Sequence, residues 1–325
     1  MRIAFLYEHP TWSDQLLTVL QRRIPGIVPV NVAELRFDTD TKSCGFSAAI
    51  NRINIMPSAD RLPQVVFQTQ HYLSWLEQSG VRMINGARAH AIGSSKAMQN
   101  GVFSSLNLAY PNGIAIYRQE DAINAAEQIG YPAIVKPNIG GSGSGISLYQ
   151  NRAELEQAVQ IKALDLGVDR TGIVQQYIRS DGFVYRVEVL GDALFYSIKQ
   201  PVVTGEFNYC AAEGCSTDDP EQTVSTEQRA TEGEDFDFCV LNNDAGGIQT
   251  HNPAPTVVDN VVRIIKASGA DFGGVEYFID TGTGQPCYYD FNPYSNFVSD
   301  GENLLGFSPE ERFTDFVCHI LNIGR

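Results

Sequence analysis

The sequence predicts an α/β protein of two or three domains, the first of which is small and contains a parallel sheet. Its 325 residues correspond to about two or three domains of ordinary size. Hydrophobic residues make up 43% of the chain, which is enough for sizeable cores and excludes a disordered chain. Strand-like apolar runs alternate with helical patterns over about the first 90 residues, as in a parallel α/β domain.

The composition also excludes several classes of function. The formal charge of −15 argues against a nucleic-acid-binding protein that relies on broad phosphate contact. It does not exclude polyphosphate binding, since a few local lysines and magnesium ions reverse the field inside a cleft. No stretch approaches the ~20 apolar residues of a membrane helix, and the N-terminus lacks the features of a signal peptide. We therefore expect a cytoplasmic protein without nucleic-acid or membrane partners.

Six cysteines are scattered along the chain without the density of a disulfide scaffold. One grouping offers four zinc ligands, namely Cys210, Cys215, Cys239 and His251. Its spacing is loose and contains no C-x2-C knuckle, so we favour separately placed, reduced cysteines over a zinc site.

The elements of the first domain follow from hydrophobic spacing. The run Ile3–Tyr7 is apolar and is expected to be a buried strand, whereas residues 13–23 carry an apolar stripe at helical spacing. Further strands are expected at 27–32 and 81–84, and a long helix at 62–78. The domain then ends near residue 92.

The rest of the chain predicts helices and hairpins. A serine at the cap position begins a helix just before Lys96, which places this lysine in the first turn. Because the helix dipole disfavours a cation there, we expect Lys96 to be held by an anion, with a solvated lysine as the alternative. Further helices are expected at 120–129, 152–163, 256–268 and 308–321. The remaining strands are expected at 114–117, 133–135, 146–149, 172–178, 183–190, 193–200, 272–280 and 286–291.

A glycine-rich loop follows the strand that ends at Lys136. It reads Gly140-Gly141-Ser142-Gly143-Ser144-Gly145 and lies between two expected strands, so it is the turn of a hairpin. Glycine lets backbone amides approach an anion closely. A Walker A loop is excluded because Ile146 follows where lysine is needed, and a Rossmann loop is excluded because a strand follows. The loop suits polyphosphate, with a flexible turn as the alternative.

Two late strands carry oxygen donors. Asp290 and Asn292 are two residues apart in one strand and therefore share a face, and Glu276 lies on the neighbouring strand. Two carboxylates and an amide oxygen are hard ligands that suit Mg²⁺. The alternative is that these carboxylates accept hydrogen bonds from tyrosines or backbone amides.

Three further segments are candidates for a cleft between these features. Residues 175–178 suit a hinge whose backbone pairs with a flat ligand edge. Arg186 and Lys199 lie on the two strands of a hairpin and are expected to point into the cleft, with pairing of Arg186 to Glu188 as the alternative. The acidic stretch 215–250 is interpreted as an inserted loop or a small β-excursion, with a lid as the alternative.

In combination, these segments resemble the ATP-grasp superfamily, and within it the RimK-type and glutathione-synthetase-like carboxylate–amine ligases. The matches occur in family order across nearly the whole chain: Ser95-Lys96, Ile134-Val-Lys-Pro137, 140–145, Gln176-Tyr-Ile178, Tyr185-Arg-Val187, Gly205-Glu-Phe207, Gly274-Val-Glu276 and Asp290-Phe-Asn-Pro293.

The resemblance implies an ATP-grasp fold of mixed α/β and α+β architecture. It divides the chain into an N-terminal α/β domain (1–92), a central α+β lobe (93–178) and a C-terminal α+β lobe (179–325), with ATP between the lobes. The implied nucleotide contacts are Lys96, Lys136, Gly140, Gly141, Ser142, Gly143, Ser144, Gly145, Gln175, Gln176, Tyr177, Ile178 and, at the ribose, Asp181. Two Mg²⁺ ions, with Mn²⁺ as an alternative, would be held by Glu276, Asp290 and Asn292. Arg186 and Lys199 would face the transferring phosphate or acyl group.

The implied activity is ADP-forming amide synthesis through an acyl phosphate, with an amino acid or short peptide among the carboxylate and amine substrates. Ring closure, a non-amine nucleophile, a small kinase and a non-catalytic nucleotide-binding regulator are the alternatives, and homo-oligomerisation is left open. Two features depart from the family: Asp290 replaces the usual glutamate, and no arginine closely follows Gly205-Glu-Phe207. We therefore expect the acceptor site to differ from that of a glutamate ligase.

Overall fold

The computed structural model describes residues 1–9, 11–40, 44–54, 62–141, 143–201, 247–294 and 296–323. These residues form three sheets of four, five and four strands. Ser142, Gly205-Glu-Phe207, Cys210, Cys215, Cys239 and residues 215–246 of the acidic stretch lie outside the described residues. In the described part of the chain, no helix is both long and apolar enough to cross a membrane.

The N-terminal sheet is parallel, as expected from the alternation of strands and helices. Its elements are β1 (Ile3–Tyr7), α1 (Asp14–Arg23), β2 (Ile27–Asn31), β3 (Ala48–Asn51), α2 (Val65–Gln78), β4 (Arg82–Ile84) and α3 (Ala87–Ser94). The strand order is β2-β1-β3-β4, and every pair is parallel. The carboxyl ends of all four strands therefore meet at one edge. Strand β3 and helix α3 were not predicted.

The central lobe is an antiparallel sheet with helices on one face. Its elements are α4 (Lys96–Ser105), β5 (Gly113–Ile116), α5 (Asp121–Ile129), β6 (Ala133–Pro137), β7 (Ser147–Tyr149), α6 (Arg152–Gln160) and β8 (Gly172–Gln176). The strand order is β5-β8-β6-β7. Ala133 and Val135 pack into the apolar cluster formed with α5 and α6. Lys136 alternates with them along β6 and therefore lies on the opposite face of the sheet.

The C-terminal lobe is a five-stranded antiparallel sheet. Its elements are β9 (Phe183–Leu190), β10 (Ala193–Pro201), β11 (Gln249–Thr250), α7 (Pro255–Ala267), β12 (Phe272–Ile279), β13 (Pro286–Asn292), α8 (Gly301–Leu305) and α9 (Pro309–Ile320). The strand order is β11-β10-β9-β12-β13. Val187, Val275 and Phe291 on one face pack with α7 and α4 in a buried apolar cluster. The other face carries the polar side chains described below.

The last helix packs against the first domain. Phe313 and Val317 of α9 join Ile3, Phe5 and other apolar residues of β1 and α1 in a single cluster. Arg23 of α1 also pairs with Glu311 and Asp315 of α9, at 2.8 and 2.7 Å. The helix was predicted, but its partner was not. The three-part division of the chain remains a proposal.

Candidate active site

The start of α4 brings Lys96 beside the glycine-rich hairpin. Ser95 caps the helix, since its Oγ accepts a hydrogen bond from Met98 N at 3.3 Å. Asn138, just after β6, ties this turn to the hairpin: its Oδ1 accepts bonds from Ser95 Oγ and Ala97 N, both at 3.0 Å. The Asn138 carbonyl also accepts a bond from Lys96 N. The contacts of one asparagine thus link the two segments that carry the candidate phosphate-binding lysines.

Lys96 is held by an anion, as its position in the first turn predicted. Its Nζ forms an ion pair with Oδ1 of Asp290 on β13. Lys136 lies close enough to both groups to interact with them electrostatically. Burial, reinforced by the charge of Lys96 and opposed by Asp290, lowers the pKa of Lys136 to about 7. Lys136 is therefore readily deprotonated near neutral pH, and a bound anion would favour its protonated form.

The hairpin loop is tightly turned around its glycines. Ser144 N donates to the Gly141 carbonyl at 3.1 Å, and Gly143 and Gly145 both have positive φ angles, 73° and 72°. A Cβ at position 145 would lie 2.5 Å from Asp165 Oδ2 and 2.8 Å from Pro137 Cγ. Position 145 therefore requires glycine for both its backbone angle and its space.

The C-terminal sheet aligns three of the predicted side chains in one row. Glu276 on β12 is paired with Asp290 on β13 and with Arg186 on β9. The neighbouring row on the same face consists of Glu188, Gly274 and Asn292. The sheet register therefore places the predicted metal ligands Glu276, Asp290 and Asn292 on one face.

The donor set fits a divalent cation. Burial, then repulsion from Asp290, raises the pKa of Glu276 to about 7, against the opposing effects of Arg186 and of a 2.7 Å hydrogen bond from Tyr289. Within the described ranges no three His, Cys, Asp or Glu side chains converge, so the set has two carboxylates and one amide oxygen. Two mutually repelling carboxylates beside a hard amide oxygen are the donors that Mg²⁺ uses, and a bound cation would relieve their repulsion.

Arg186 pairs with Glu188, which was the alternative that the sequence left open. Arg186 Nε donates to Glu188 Oε1 at 2.6 Å, and Arg186 Nη2 donates to the Asn296 carbonyl at 3.1 Å. The pair is not at the surface, because the two side chains are only 9% and 2% exposed. Its neighbour in the sheet is Glu276, so the guanidinium lies beside the candidate metal ligands.

The structure does not bring Lys199 to Arg186. Lys199 is paired with Tyr185, whereas Arg186 is paired with Ile198, so the two cations lie on opposite faces of the sheet. The Lys199 ammonium instead lies 4.9 Å from the ring centre of Phe183. Asp181 contacts the same face of the sheet as Lys199, since its Oδ2 accepts a 2.7 Å hydrogen bond from the Tyr185 hydroxyl.

Residues 175–181 connect the two lobes. Gln175 is paired with Ile134 and so lies on the Lys136 face, whereas Gln176 is paired with Ala133 on the helix-covered side. The following segment is fixed to the end of β12, because Asp181 N donates to Ile279 O at 3.1 Å. Tyr177 and Ile178 are half-buried between these anchors, where the predicted adenine edge would lie.

Two residues of this site, Asn138 and Tyr289, were missed, and a third, Glu188, was named only as an alternative partner of Arg186. Asn138, Glu188 and Tyr289 contact Lys96, Arg186 and Glu276, respectively, through the bonds given above. Glu188 carried a usable signal, a lone acid in an otherwise apolar strand two residues after an arginine. Asn138 and Tyr289 carried none, because their contacts depend on the packing of segments distant in sequence.

Comparison with known proteins identifies the fold. The chain superimposes on a RimK domain ATP-grasp protein from Sphaerobacter thermophilus (TM-score 0.65, 19% identity, 97% of this chain and 99% of the other). VanG D-Ala:D-Ser ligase from Enterococcus faecalis superimposes with a TM-score of 0.67 and 16% identity, over 97% of this chain and 98% of the other. The ATP-grasp ligase PsnB, complexed with a precursor variant, Mg and ADP, superimposes with a TM-score of 0.61 and 14% identity, over 98% of each chain.

The chain has the ATP-grasp fold. Residues 96–192 also match the family model described as "Carbamoyl-phosphate synthase L chain, ATP binding domain". A curated relative, the carbamoyl phosphate synthase large chain of Gemmatimonas aurantiaca, is 23% identical over 295 residues, or 89% of this chain. The chain spans only 23% of that relative's length. The fold expected from the sequence is thus confirmed, while these low identities leave the substrate open.

Proposed function

We propose that this ATP-grasp chain is an ADP-forming ligase that joins a carboxylate to an amine. The observation that carries the proposal is the ion pair between Lys96, at the phosphate-binding side of the central lobe, and Asp290, in the metal-binding row of the C-terminal lobe. This contact joins the two halves of a site suited to a metal–polyphosphate complex. Taken separately, neither the two lysines beside the glycine-rich loop nor the set of hard oxygen donors would indicate a ligase.

The proposed roles follow from placement. Lys96, Lys136 and the loop 140–145 would bind the ATP phosphates, and residues 175–178 the adenine. Glu276, Asp290 and Asn292 would hold two Mg²⁺ ions or, alternatively, Mn²⁺. When bound, these ions neutralise the charge that develops on the transferring phosphoryl group. Arg186, beside Glu276, would face that group, whereas Lys199 would have to move from the far face of the sheet to reach it.

The proposed reaction proceeds in two steps. A substrate carboxylate oxygen attacks the γ-phosphorus of ATP, which gives an acyl phosphate and ADP. An amine nitrogen then attacks the acyl carbon, an amide bond forms, and inorganic phosphate leaves while the amine loses a proton to solvent. Positioning and charge neutralisation are the main demands of such a transfer, and the two lysines and Arg186 supply them from this chain.

The comparisons support a ligase without naming its substrates. The PsnB complex holds Mg and ADP together with a peptide precursor variant, and VanG is named as a D-Ala:D-Ser ligase. We therefore propose amino acids or short peptides as the first substrates to test. The test is ADP release measured across pairs of these compounds, with each omitted in turn. Release that requires both partners is expected. ATP binding without turnover on any pair would instead favour a nucleotide-binding regulator.

Two substitutions test the site. Lys136→Ala should nearly abolish ADP release, because it removes a phosphate-facing charge worth about 100-fold or more in rate. Asp290→Ala should raise the Mg²⁺ concentration needed for half-maximal activity. Lys266→Ala is the matched control, because in the described part of the chain this lysine forms an ion pair at 2.7 Å with the exposed Asp192, away from the proposed ligands. Near-normal activity of both site variants would contradict the assignment.

A further inference from the structure

Glu188 is a buried carboxylate that interacts with two arginines. Its side chain is 2% exposed, and its Oε1 accepts the 2.6 Å bond from Arg186 Nε on the same strand. It also interacts electrostatically with Arg52, which follows β3 in the N-terminal domain. Burying such an ion pair seldom gains stability over a well-packed apolar pair. A role beyond stability is therefore worth seeking.

The neighbouring strand leaves room for this carboxylate. Gly274 is paired with Glu188, and a Cβ at position 274 would collide with Oε1 and lie 2.7 Å from Cδ. On its other side Gly274 is paired with Asn292. Glycine weakens a strand, but at this position it lets the Glu188 carboxylate lie over β12, the strand that carries the proposed metal ligand Glu276.

Arg186 has a competing partner in the same row. Its guanidinium is fixed by Glu188 on one side and by the Asn296 carbonyl on the other, at 3.1 Å. A second carboxylate that acts on it is Glu276, its direct neighbour across the sheet. An Arg186 released from Glu188 would turn to Glu276 and occupy an oxygen needed for the metal.

We propose that Glu188 is a positioning residue that holds Arg186 off Glu276 and so keeps Glu276 available to the cation. Gly274 contributes to this role because it leaves the space that the Glu188 carboxylate occupies. The inference rests on the proposed function, since it concerns metal–nucleotide binding at the same site.

The experiment measures ADP affinity by calorimetry in the presence and absence of Mg²⁺, and it requires no knowledge of the substrates. The quantity compared is the gain in ADP affinity that Mg²⁺ produces. Glu188→Gln should lower this gain about tenfold, because a charge-assisted hydrogen bond from Arg186 would compete for Glu276. Affinity for ADP without metal should be unchanged. Gly274→Ala, which displaces the carboxylate, should have the same effect from another strand.

A double variant separates positioning from general damage. In Arg186→Gln/Glu188→Gln no guanidinium competes for Glu276, so the Mg²⁺-dependent gain should return toward the wild-type value. Glu310→Gln is the control for a buried acid, because Glu310 is buried at the start of α9, where its Oε2 accepts a 3.0 Å bond from Ser308 Oγ. Gly101→Ala is the glycine control, since a Cβ there meets nothing within 4 Å. Both controls should keep the wild-type gain.

The outcomes are distinguishable. If wild-type protein shows no Mg²⁺-dependent ADP binding, the proposed function itself fails. If the wild type binds Mg·ADP but folded Glu188→Gln and Gly274→Ala keep its full gain, only the positioning role is overturned. A gain that stays low in the double variant also overturns it, because the loss would then not pass through Arg186. Circular dichroism of each variant establishes that it is folded.

Discussion

The charge of Lys136 depends on which groups lie beside it. Its pKa of about 7 has burial as the largest cause and the neighbouring Lys96 as the second. The folded pKa lies below the unfolded one, so the folded state binds fewer protons between about pH 7 and 10.5. The stability cost of this lysine is thus fully present below pH 7 and is relieved as the pH rises through that window.

Nucleotide binding at pH 8 should therefore be coupled to proton uptake. Phosphate charge beside Lys136 favours the ammonium, and at pH 8 a lysine whose pKa is about 7 is mostly unprotonated before the nucleotide binds. Calorimetry of Mg·ADP binding in two buffers of different ionisation enthalpy should give different heats, and Lys136→Met should remove most of the difference. Equal heats for the wild-type protein would contradict the assigned pKa or the placement of phosphate.

The sequence indicated which charged residues this region carries, but not which of them make contact. Lys96 was expected to meet an anion because of its place in a helix, and Asp290 was expected to meet a cation because of its place in a strand. They pair directly across 194 residues. No local pattern states which distant charges meet, and the same limit hid the fact that Lys199 and Arg186 lie on opposite faces.

The contacts that fix the first turn of α4 stabilise the helix and also position Lys96. Asn138→Ala would remove the bonds to Ser95 Oγ and Ala97 N, and we expect a loss of about 1 kcal/mol in unfolding free energy. Because this turn carries Lys96, the affinity for Mg·ADP should fall as well. Urea unfolding and calorimetry measure the two effects.

The control is an asparagine that caps a different helix and does not contact Lys96 or its turn. Asn151 caps α6 by accepting a bond from Glu154 N at 3.1 Å. Asn151→Ala should lose a similar amount of stability, about 1 kcal/mol, and leave Mg·ADP affinity unchanged. Equal affinity losses in the two variants would show that the effect of Asn138 is not exerted through Lys96.

Elements with clear periodicity were predictable, and those without it were not. The β12–β13 hairpin was expected as strands at 272–280 and 286–291, and its observed strands end within one residue of these bounds. Strand β3 has four buried residues and no alternation, and α3 has no continuous apolar stripe. The bulge after Glu276 was equally invisible, although it leaves Tyr289 as the extra residue that bonds to Glu276.

For the whole molecule, the main departure from the sequence-based picture is the position of the last helix. Phe313 of α9 is fully buried and meets Phe272 of β12 edge-on at 4.8 Å between ring centres. The same cluster contains Ile3, Phe5 and Leu20 of the first domain. Residues from both ends of the chain and the C-terminal sheet thus share one core, and we expect them to lose their structure together.

The position of the tryptophans makes this cooperativity measurable. Trp12 and Trp75 are the two tryptophans of the chain, and both precede residue 92, so fluorescence reports on the first domain while far-UV circular dichroism reports on all helices and strands. Phe313→Ala should cost about 3–5 kcal/mol, because it leaves a cavity in a fully buried cluster. The urea midpoint of the fluorescence transition should fall, although the substitution lies in the last helix.

Tyr117→Ala, at a side chain 68% exposed, should change stability by no more than about 0.5 kcal/mol. A variant whose fluorescence midpoint stayed at the wild-type value while the circular dichroism midpoint fell would show that α9 unfolds independently of the first domain.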